Sequence, residues 1–376
     1  MKYFKKIDYI LFNLQKLFLY GREYLKVLCF HQVNLFFDGF NYKTNKKLAI
    51  CIGFSEWKRD YIKEYLPEYS LSFTNHRTPT WKLIKLFEDI DQAYEVLIWS
   101  YKDNNKLTKY FKSNNIPITR VEDGFIRSCG LGLHETKPLS LVFDKRGLYF
   151  NTSSLSDLEY IIQNKALNYT IKQLDVAKAL IYKITSKGIS KYNFRKKIEK
   201  VEYLPKDKKI VLVIGQVEDD MSIKYGCSNP ITNLSLLQSA RNEHDNAYII
   251  YKPHPDTLTG IRKTISPLNE CEKLCNVVDI TFNLDTLIKV AEHVYTITSL
   301  SGFEALMYGK KVTCFGSPFY SGYGLTDDRD IRDHNINNKL SLEQLFYASY
   351  IEYPRYIRGD INSTINFIEE GLRENV

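Results

Sequence analysis

The chain has 376 residues, 44% of them hydrophobic and 26% charged. That composition excludes a disordered protein, and the length leaves room for two domains of roughly 100–200 residues each. The formal net charge of +8 favours an anionic partner such as a nucleotide, an acidic glycan or a membrane surface. No compact module of lysine, arginine and aromatic residues of the known types is visible, so nucleic acid is not expected. The seven cysteines (29, 51, 129, 227, 271, 275 and 314) are scattered and odd in number, which fits a reduced, cytosolic compartment. Cys271 and Cys275 could share a helix face, but no second pair with metal-type spacing accompanies them.

Residues 1–30 carry six basic side chains (Lys2, Lys5, Lys6, Lys16, Arg22, Lys26) against Asp8 and Glu23. Aromatic and aliphatic residues such as Phe4, Ile10, Phe12, Leu17 and Phe18 are interleaved with them. A basic amphipathic helix of this kind can lie on an anionic membrane face, or pack on its own domain or a partner subunit. It is too interrupted by charge for a signal peptide, and no apolar run reaches the roughly 18–20 residues that span a bilayer. Segment 1–45 is therefore set apart from the rest of the chain.

A βα rhythm begins at 48–54, an apolar strand followed by a helix to about Tyr65. A weaker strand at 70–73, a helix at 81–90, a strand at 95–100, a helix at 106–112 and a strand at 116–121 continue it. Strands alternating with helices predict a parallel sheet. The stretch 139–144 then 147–150 is hairpin-like, and 156–163 and 174–187 read as helices. The charged stretch 195–209, with Pro205 inside it, is the candidate linker. Beyond it come a strand at 210–215, a helix at 233–242, an apolar strand at 247–251, a short strand at 277–280, a helix near 284–292 and a helical tail at 341–350 and 362–373. The expected architecture is α/β and GT-B-like: two Rossmann-type, doubly wound domains facing a cleft, with C-terminal helices crossing back. The expected division is 46–200 and 201–345, with a tail at 346–376.

Three turns carry chemistry. Lys252-Pro253-His254-Pro255-Asp256 follows an apolar strand, and the flanking prolines hold His254 in a rigid, non-helical turn. Ligands of open α/β sheets bind beyond the carboxyl ends of the strands. His254 there could grip an anion or assist a leaving group, or be a structural histidine. Ser299-Leu300-Ser301-Gly302-Phe303-Glu304 opens a helix after the strand that ends at Thr298. Its hydroxyls and free N–H groups suit a phosphate, and Glu304 could meet a sugar or ribose hydroxyl or merely complement the helix dipole. Glu122-Asp123-Gly124-Phe125-Ile126-Arg127-Ser128 ends another strand, with Gly130-Leu131-Gly132 next. A carboxylate there could be a general base or a nucleophile toward an anomeric carbon. It could equally cap a turn, with Arg127 pairing to Glu122.

These segments, with Pro138 to Phe150, Gly215 to Ile223, Gly316 to Arg329 and Tyr353-Pro354-Arg355-Tyr356, resemble the signature segments of the KpsC/LipA capsule polysaccharide family, in order from about residue 48 to 360. The resemblance implies a retaining β-Kdo glycosyltransferase. The donor would be CMP-β-Kdo, the acceptor a capsule oligosaccharide or lipid-linked glycan, and the location cytoplasmic, at the inner membrane face of a Gram-negative cell. On that resemblance Asp123 is the nucleophile, with Glu122 and His254 the other catalytic residues. The pair His254-Pro255 is similar to that of bacterial sialyltransferases, where the histidine contacts the donor phosphate. Gln216, Lys252, Ser299, Ser301, Gly302 and Glu304 fall on the donor side. Arg127, Ser128, Tyr320 and Arg329 are candidate substrate contacts, because the arginines and Lys252 complement a sugar carboxylate and a phosphate. No cofactor or metal is expected, since cytidine phosphate leaves readily and a helix N-terminus can stabilise it; Asp328-Arg329-Asp330 lies in a polar turn. The family's capsule-linker enzymes carry two modules in tandem and this chain is long enough for one, which suits an enzyme making a single linkage. Competing readings are a non-catalytic capsule assembly or export factor and a transferase using another CMP-nonulosonate.

Overall fold

The computed structural model describes residues 37–38, 45–74, 78–90, 93–129, 136–193, 201–260, 262, 265–330 and 339–374. The basic segment at 1–30 and the turn at 130–132 lie outside the described residues. The chain forms two compact units, Met1–Val121 and Glu122–Val376.

The first unit holds strands β1 (Phe37–Asp38), β2 (Lys47–Ile52), β3 (Tyr69–Thr74), β4 (Tyr94–Trp99) and the start of β5 (Ile118–Asp123). They lie in the order β1-β3-β2-β4-β5, all parallel except β1. Helices α1 (Glu56–Tyr65), α2 (Thr80–Glu88) and α3 (Asn105–Ser113) connect them. The alternation follows from the sequence. Ile50, Val96 and Ile98 are fully buried against the apolar faces of α2 and α3, through Leu83, Phe87, Leu107 and Phe111. Each such side chain contributes about 1.5–3 kcal/mol of burial.

The second unit contains a six-stranded parallel sheet: β9 (Ile210–Ile214), β10 (Tyr248–Lys252), β11 (Val277–Val278), β12 (His293–Thr296), β13 (Lys311–Cys314) and β14 (Asp327–Asp328). Its order is β11-β10-β9-β12-β13-β14, the doubly wound arrangement that starts at a central strand and reverses once. The reversal falls between β9 and β12, and all five residues of β9 are buried. Helices α6 (Met221–Gly226), α7 (Asn233–Glu243), α8 (Pro255–Leu258), α9 (Leu268–Glu272), α10 (Leu284–Val290) and α11 (Leu300–Met307) join the strands.

Residues 122–193 belong with this unit, so the expected boundary at 200/201 does not coincide with the division after Val121. The reason is long-range pairing. β7 (Ser140–Asp144) pairs antiparallel with β15 (Pro354–Tyr356), close to the chain's end. The Asp144 carboxylate accepts from the Tyr353 hydroxyl at 2.8 Å and from the Asp157 amide at 2.9 Å. It also takes the Arg146 and Gly147 amides, which makes residues 147–150 a turn rather than the second arm of a hairpin. Helices α4 (Asp157–Lys165) and α5 (Ile171–Lys187) start in capping boxes at Ser156 and Thr170. The tail runs through α12 (Leu342–Phe346), a π-helical turn at Tyr347–Glu352 and α13 (Ile361–Glu374). A short ladder, β6 (Ser128–Cys129) with β8 (Tyr192–Asn193), completes the unit. Among the described residues no helix is long and apolar enough to cross a membrane.

Candidate active site

Asp123 is the last residue of β5, and the chain turns sharply after it. The Gly124 amide donates to the Ser140 carbonyl at 3.0 Å, and a Cβ at Gly124 would lie 2.2 Å from the Ser140 hydroxyl oxygen. Only glycine permits that approach. The Ser140 hydroxyl in turn donates to the Ile126 carbonyl at 2.6 Å. Phe125 anchors the turn from beneath, stacked on Phe319 and Tyr350 with centroids 4.8 and 5.3 Å away and edge-on to Tyr149 at 4.9 Å. Aromatic residues from four distant stretches of the chain thus form one cluster, worth about 0.5–1.5 kcal/mol per pair beyond area burial.

Arg127 is 1% exposed. Its Nε donates to Asp123 Oδ2 at 3.2 Å and its Nη1 to the Ser128 hydroxyl at 3.0 Å. Asp123 Oδ1 is buried and accepts no hydrogen bond among the described residues. One carboxylate oxygen is therefore held by Arg127, and the other has no hydrogen-bond partner among the described residues. Glu122 Oε1 accepts the Asp123 amide at 3.0 Å.

Lys191 was not legible as a site residue, since nothing distinguishes it from the other lysines in the sequence. Its carbonyl accepts the amides of Arg127 and Ser128 at 2.9 and 3.3 Å, and its own amide donates to Glu304 Oε1 at 2.9 Å. Burial disfavours the Lys191 ammonium. The phenols of Tyr192 and Tyr149 and the carboxylates of Asp123 and Glu122 more than offset this, so its pKa is raised and the charge is kept.

His254 sits beyond the carboxyl end of β10 and caps α8, with Pro255 at the first helical position. Its Nδ1 accepts the Asp256 amide at 3.2 Å. Burial lowers the pKa of the ring; Asp256 and Asp220 oppose that, while Lys191 and Arg262 add to it. A neutral ring that accepts at Nδ1 carries its proton on Nε2, which leaves Nε2–H as a donor. Lys191 thus shares an electrostatic neighbourhood both with the Asp123–Glu122 pair and with His254. Tyr149 and Asp220 belong to the same neighbourhood.

At the strand-order reversal, Gln216 follows β9 and the Thr298–Ser301 turn follows β12. The Gln216 side chain accepts the Thr298 amide at 2.8 Å and donates to the Thr298 hydroxyl at 3.1 Å. Ser299 caps α11, accepting the Ser301 amide at 3.2 Å, and its hydroxyl donates to Ser301 Oγ at 3.1 Å. The Ser301 hydroxyl proton and the first turn of α11 are the groups this corner offers an anion.

Several expected contacts take other roles. Tyr320 is fully buried, its hydroxyl donates to the Ser299 carbonyl, and a Cβ on Gly302 would lie 2.2 Å from it. Tyr320 and Gly302 therefore shape the serine turn, and Tyr320 is not a surface for substrate. Ser128, fully buried against Arg127, is not one either. Arg329 is a correction too: its guanidinium is committed to Glu243 at 2.8 Å and Asp327 at 2.7 Å. Lys252 Nζ donates to the Phe282 carbonyl at 2.7 Å and pairs with Asp279 at 3.4 Å, so it braces the neighbouring loop. Glu304 is 5% exposed and spends a carboxylate oxygen on Lys191, which withdraws it from any ribose hydroxyl. Burial pushes its pKa up to about 7, against the Lys191 amide and charge. Asp328 takes the Gly322 amide and the Thr326 hydroxyl, and Asp330 takes both the amide and hydroxyl of Ser228.

A doubly wound parallel sheet with an anion-friendly corner at its reversal, and a carboxylate turn in the same unit, define a GT-B-like α/β protein. The family model "Capsule polysaccharide biosynthesis protein" matches residues 94–356, and the chain belongs to that family. It is 39% identical over 320 residues to the lipopolysaccharide-processing protein LpsZ of Rhizobium meliloti, covering 85% of this chain and 72% of LpsZ. It is also 39% identical over 332 residues to the capsule polysaccharide modification protein LipA of Neisseria meningitidis serogroup B, covering 86% of this chain and 45% of LipA. The chain thus spans less than half the length of that relative. Two solved structures of Thermosulfurimonas dismutans KpsC are similar. The β-Kdo 2,4 transferase has 31% identity and a TM-score of 0.72, over 87% of this chain and 99% of that one. The β-Kdo 2,7 transferase has 33% identity and a TM-score of 0.67, over 88% and 100%.

Proposed function

We propose that this protein is a capsule Kdo glycosyltransferase that transfers Kdo from CMP-β-Kdo to a glycan or glycolipid acceptor with retention of configuration. The observation that carries the reading is the Asp123 carboxylate, with Oδ2 held by buried Arg127 and Oδ1 buried without a hydrogen bond. The likeness to two KpsC Kdo transferases supports the substrate class.

In the first step Asp123 Oδ1 attacks the anomeric carbon, and the bond to the phosphate oxygen of CMP breaks with its electron pair on that oxygen. The His254 Nε2–H and the Ser299–Ser301 helix start stabilise the departing phosphate. Lys191 offsets the negative charge that donor carboxylate and phosphate bring in. In the second step an acceptor hydroxyl attacks the same carbon, Glu122 takes its proton, and the Asp123 carboxylate leaves. Two inversions give retention. No metal is required in this scheme. Work at the cytoplasmic face of the inner membrane, with residues 1–30 against anionic lipid, is part of the same proposal.

Mass spectrometry of the protein incubated with in situ generated CMP-Kdo is expected to show a Kdo-sized adduct on Asp123. Asp123→Asn, which keeps an oxygen to accept from the Arg127 Nε–H, is expected to lose transfer and the adduct while keeping its fold and CMP binding. Transfer by that variant at near the wild-type rate would remove Asp123 as nucleophile.

A further inference from the structure

The stretch from Gly215 to Ile223 carries β9 into α6 at the carboxyl edge of the second sheet, and the proposed chemistry draws nothing from its acidic end. Helix α6 is tied down on two sides. At its start the Ser222 hydroxyl accepts from the Thr298 hydroxyl at 3.3 Å, and the Thr298 hydroxyl accepts from the Gln216 amide at 3.1 Å. At its end the Tyr225 carbonyl accepts the Thr152 amide at 3.0 Å and the Thr152 hydroxyl at 2.9 Å. The helix therefore lies between the serine turn, which Thr298 leads into, and the turn at 147–152, whose Tyr149 packs edge-on to Phe125 of the Asp123 turn. Asp220 stands at the start of α6. Its Oδ1 accepts the Ser222 amide at 2.8 Å and the Ser222 hydroxyl at 2.7 Å. Each donor in the relay from Gln216 through Thr298 and Ser222 points toward the carboxylate, which fixes its plane. Among the described residues Asp220 Oδ2 accepts no hydrogen bond and forms no ion pair. The carboxylate also favours the protonated His254 ring and opposes ionisation of the Tyr149 phenol, so it shares their surroundings.

We infer that Asp220 Oδ2 accepts a hydroxyl of the nucleotide-sugar donor, from the ribose or from the transferred sugar. The inference rests on the proposed function for the identity of the ligand. A carboxylate repels a phosphate and a sugar carboxylate, so beside an anion-binding corner it serves a neutral hydrogen-bond donor. Hydroxyls are the most numerous groups of that kind on a nucleotide sugar. A hydroxyl that loses water on binding needs an acceptor in its place. Glu304 does not supply one, because it is buried and bonded to the Lys191 amide. Asp220 does: its free oxygen is an acceptor only, and its pinned oxygen leaves the side chain little freedom to lose when the hydroxyl arrives.

The test uses the full chain, calorimetry with CMP, 2′-deoxy-CMP, 3′-deoxy-CMP and UMP, and initial rates of transfer from CMP-Kdo generated in situ. Asp220→Asn keeps an oxygen for Ser222 and turns the free acceptor into a donor, so its melting temperature is expected to stay near that of the wild type. If the hydroxyl is the ribose's, the variant binds CMP about tenfold or more weakly. The wild type then loses a similar factor with one deoxynucleotide and the variant does not, a pattern that a purely structural role for Asp220 would not produce. If the hydroxyl is the transferred sugar's, CMP affinity is unchanged and kcat/KM for CMP-Kdo falls about tenfold or more. Ser222→Ala leaves the carboxylate in place without its clamp, and is expected to lose less on the same ligand. Wild-type CMP affinity and wild-type kcat/KM in Asp220→Asn and Ser222→Ala overturn the inference. Loss of the preference for CMP over UMP in Asp220→Asn, with discrimination against the deoxynucleotides intact, overturns it in favour of the base amine. Absence of transfer to every acceptor, with Asp220-dependent ribose discrimination intact, would instead defeat the transferase reading and leave the role of Asp220 standing.

Discussion

The Asp123 turn and the His254 turn are built in opposite ways. The His254 turn is local: two prolines, a ring nitrogen capping Asp256, and the Thr257 hydroxyl donating to the His254 carbonyl at 2.7 Å. The Asp123 turn is assembled from afar. Ser140 closes it, Lys191 takes the amides of Arg127 and Ser128, and Glu304 takes the amide of Lys191. Local turns keep their geometry when their surroundings change. A turn held by distant segments is as good as the weakest of those segments, and it can be broken from a distance.

The largest effect that would sharpen this contrast is at Arg127. Removing it leaves the Asp123 carboxylate without its buried partner, a change that costs about 3–5 kcal/mol in comparable pairs. Arg127→Ala is therefore expected to lower transfer at least a hundredfold and to melt well below the wild type. Arg127→Lys is expected to restore part of the stability and little of the turnover, because an ammonium cannot serve Asp123 and Ser128 with a planar fork. A circular-dichroism melt paired with single-turnover rates would check both. Full turnover in Arg127→Ala would show that the ion pair does not position the nucleophile.

The same contrast decides how much sequence could reveal. The His254 turn and the serine turn were legible because prolines, caps and a preceding apolar strand are sequence-local signals. The strand and helix alternation was legible for the same reason, since apolar runs such as 210–214 declare buried strands. The boundary at Val121, the pairing of β7 with β15, and Lys191 were not. Each depends on a partner far along the chain: Ser140 meets Tyr356, and Lys191 meets Glu304. The charges of Arg329 and Lys252 misled in a related way. A cation near a motif looks free for substrate until the structure shows its carboxylate, Glu243 for Arg329 and Asp279 for Lys252.

A smaller effect is expected at the local turn. His254→Asn keeps an N-cap acceptor for Asp256 and removes the Nε2–H donor. A donor bond to an anionic phosphate is worth about 1.5–3 kcal/mol, so CMP affinity or turnover is expected to fall about tenfold or more with the melting temperature nearly unchanged. His254→Ala should add loss of the cap to that deficit. Unchanged CMP affinity and turnover in His254→Asn would make the histidine purely structural.

The smallest effect on turnover is expected at the far end of the relay that holds the Asp123 turn. Glu304 has an ordinary pKa of 4.5, and burial raises it to about 7 in the folded protein. The folded state therefore binds more protons than the unfolded state between those values. The stability contribution is full below pH 4.5 and is lost as pH rises through 7, on the order of 3 kcal/mol across the window. Glu304→Gln keeps an oxygen to accept the Lys191 amide and removes the ionisation. Urea denaturation at about pH 5 and about pH 8 should place the variant level with wild type at the lower pH and above it at the higher. Transfer by the variant at the higher pH should match or exceed wild type, since the hydrogen-bonded path from Glu304 through Lys191 to Arg127 survives. Stability curves that run parallel across the whole pH range would show that Glu304 ionises in the fold as easily as in the unfolded chain. The Asp123 turn would then have to be rigid for reasons that do not pass through this buried carboxyl.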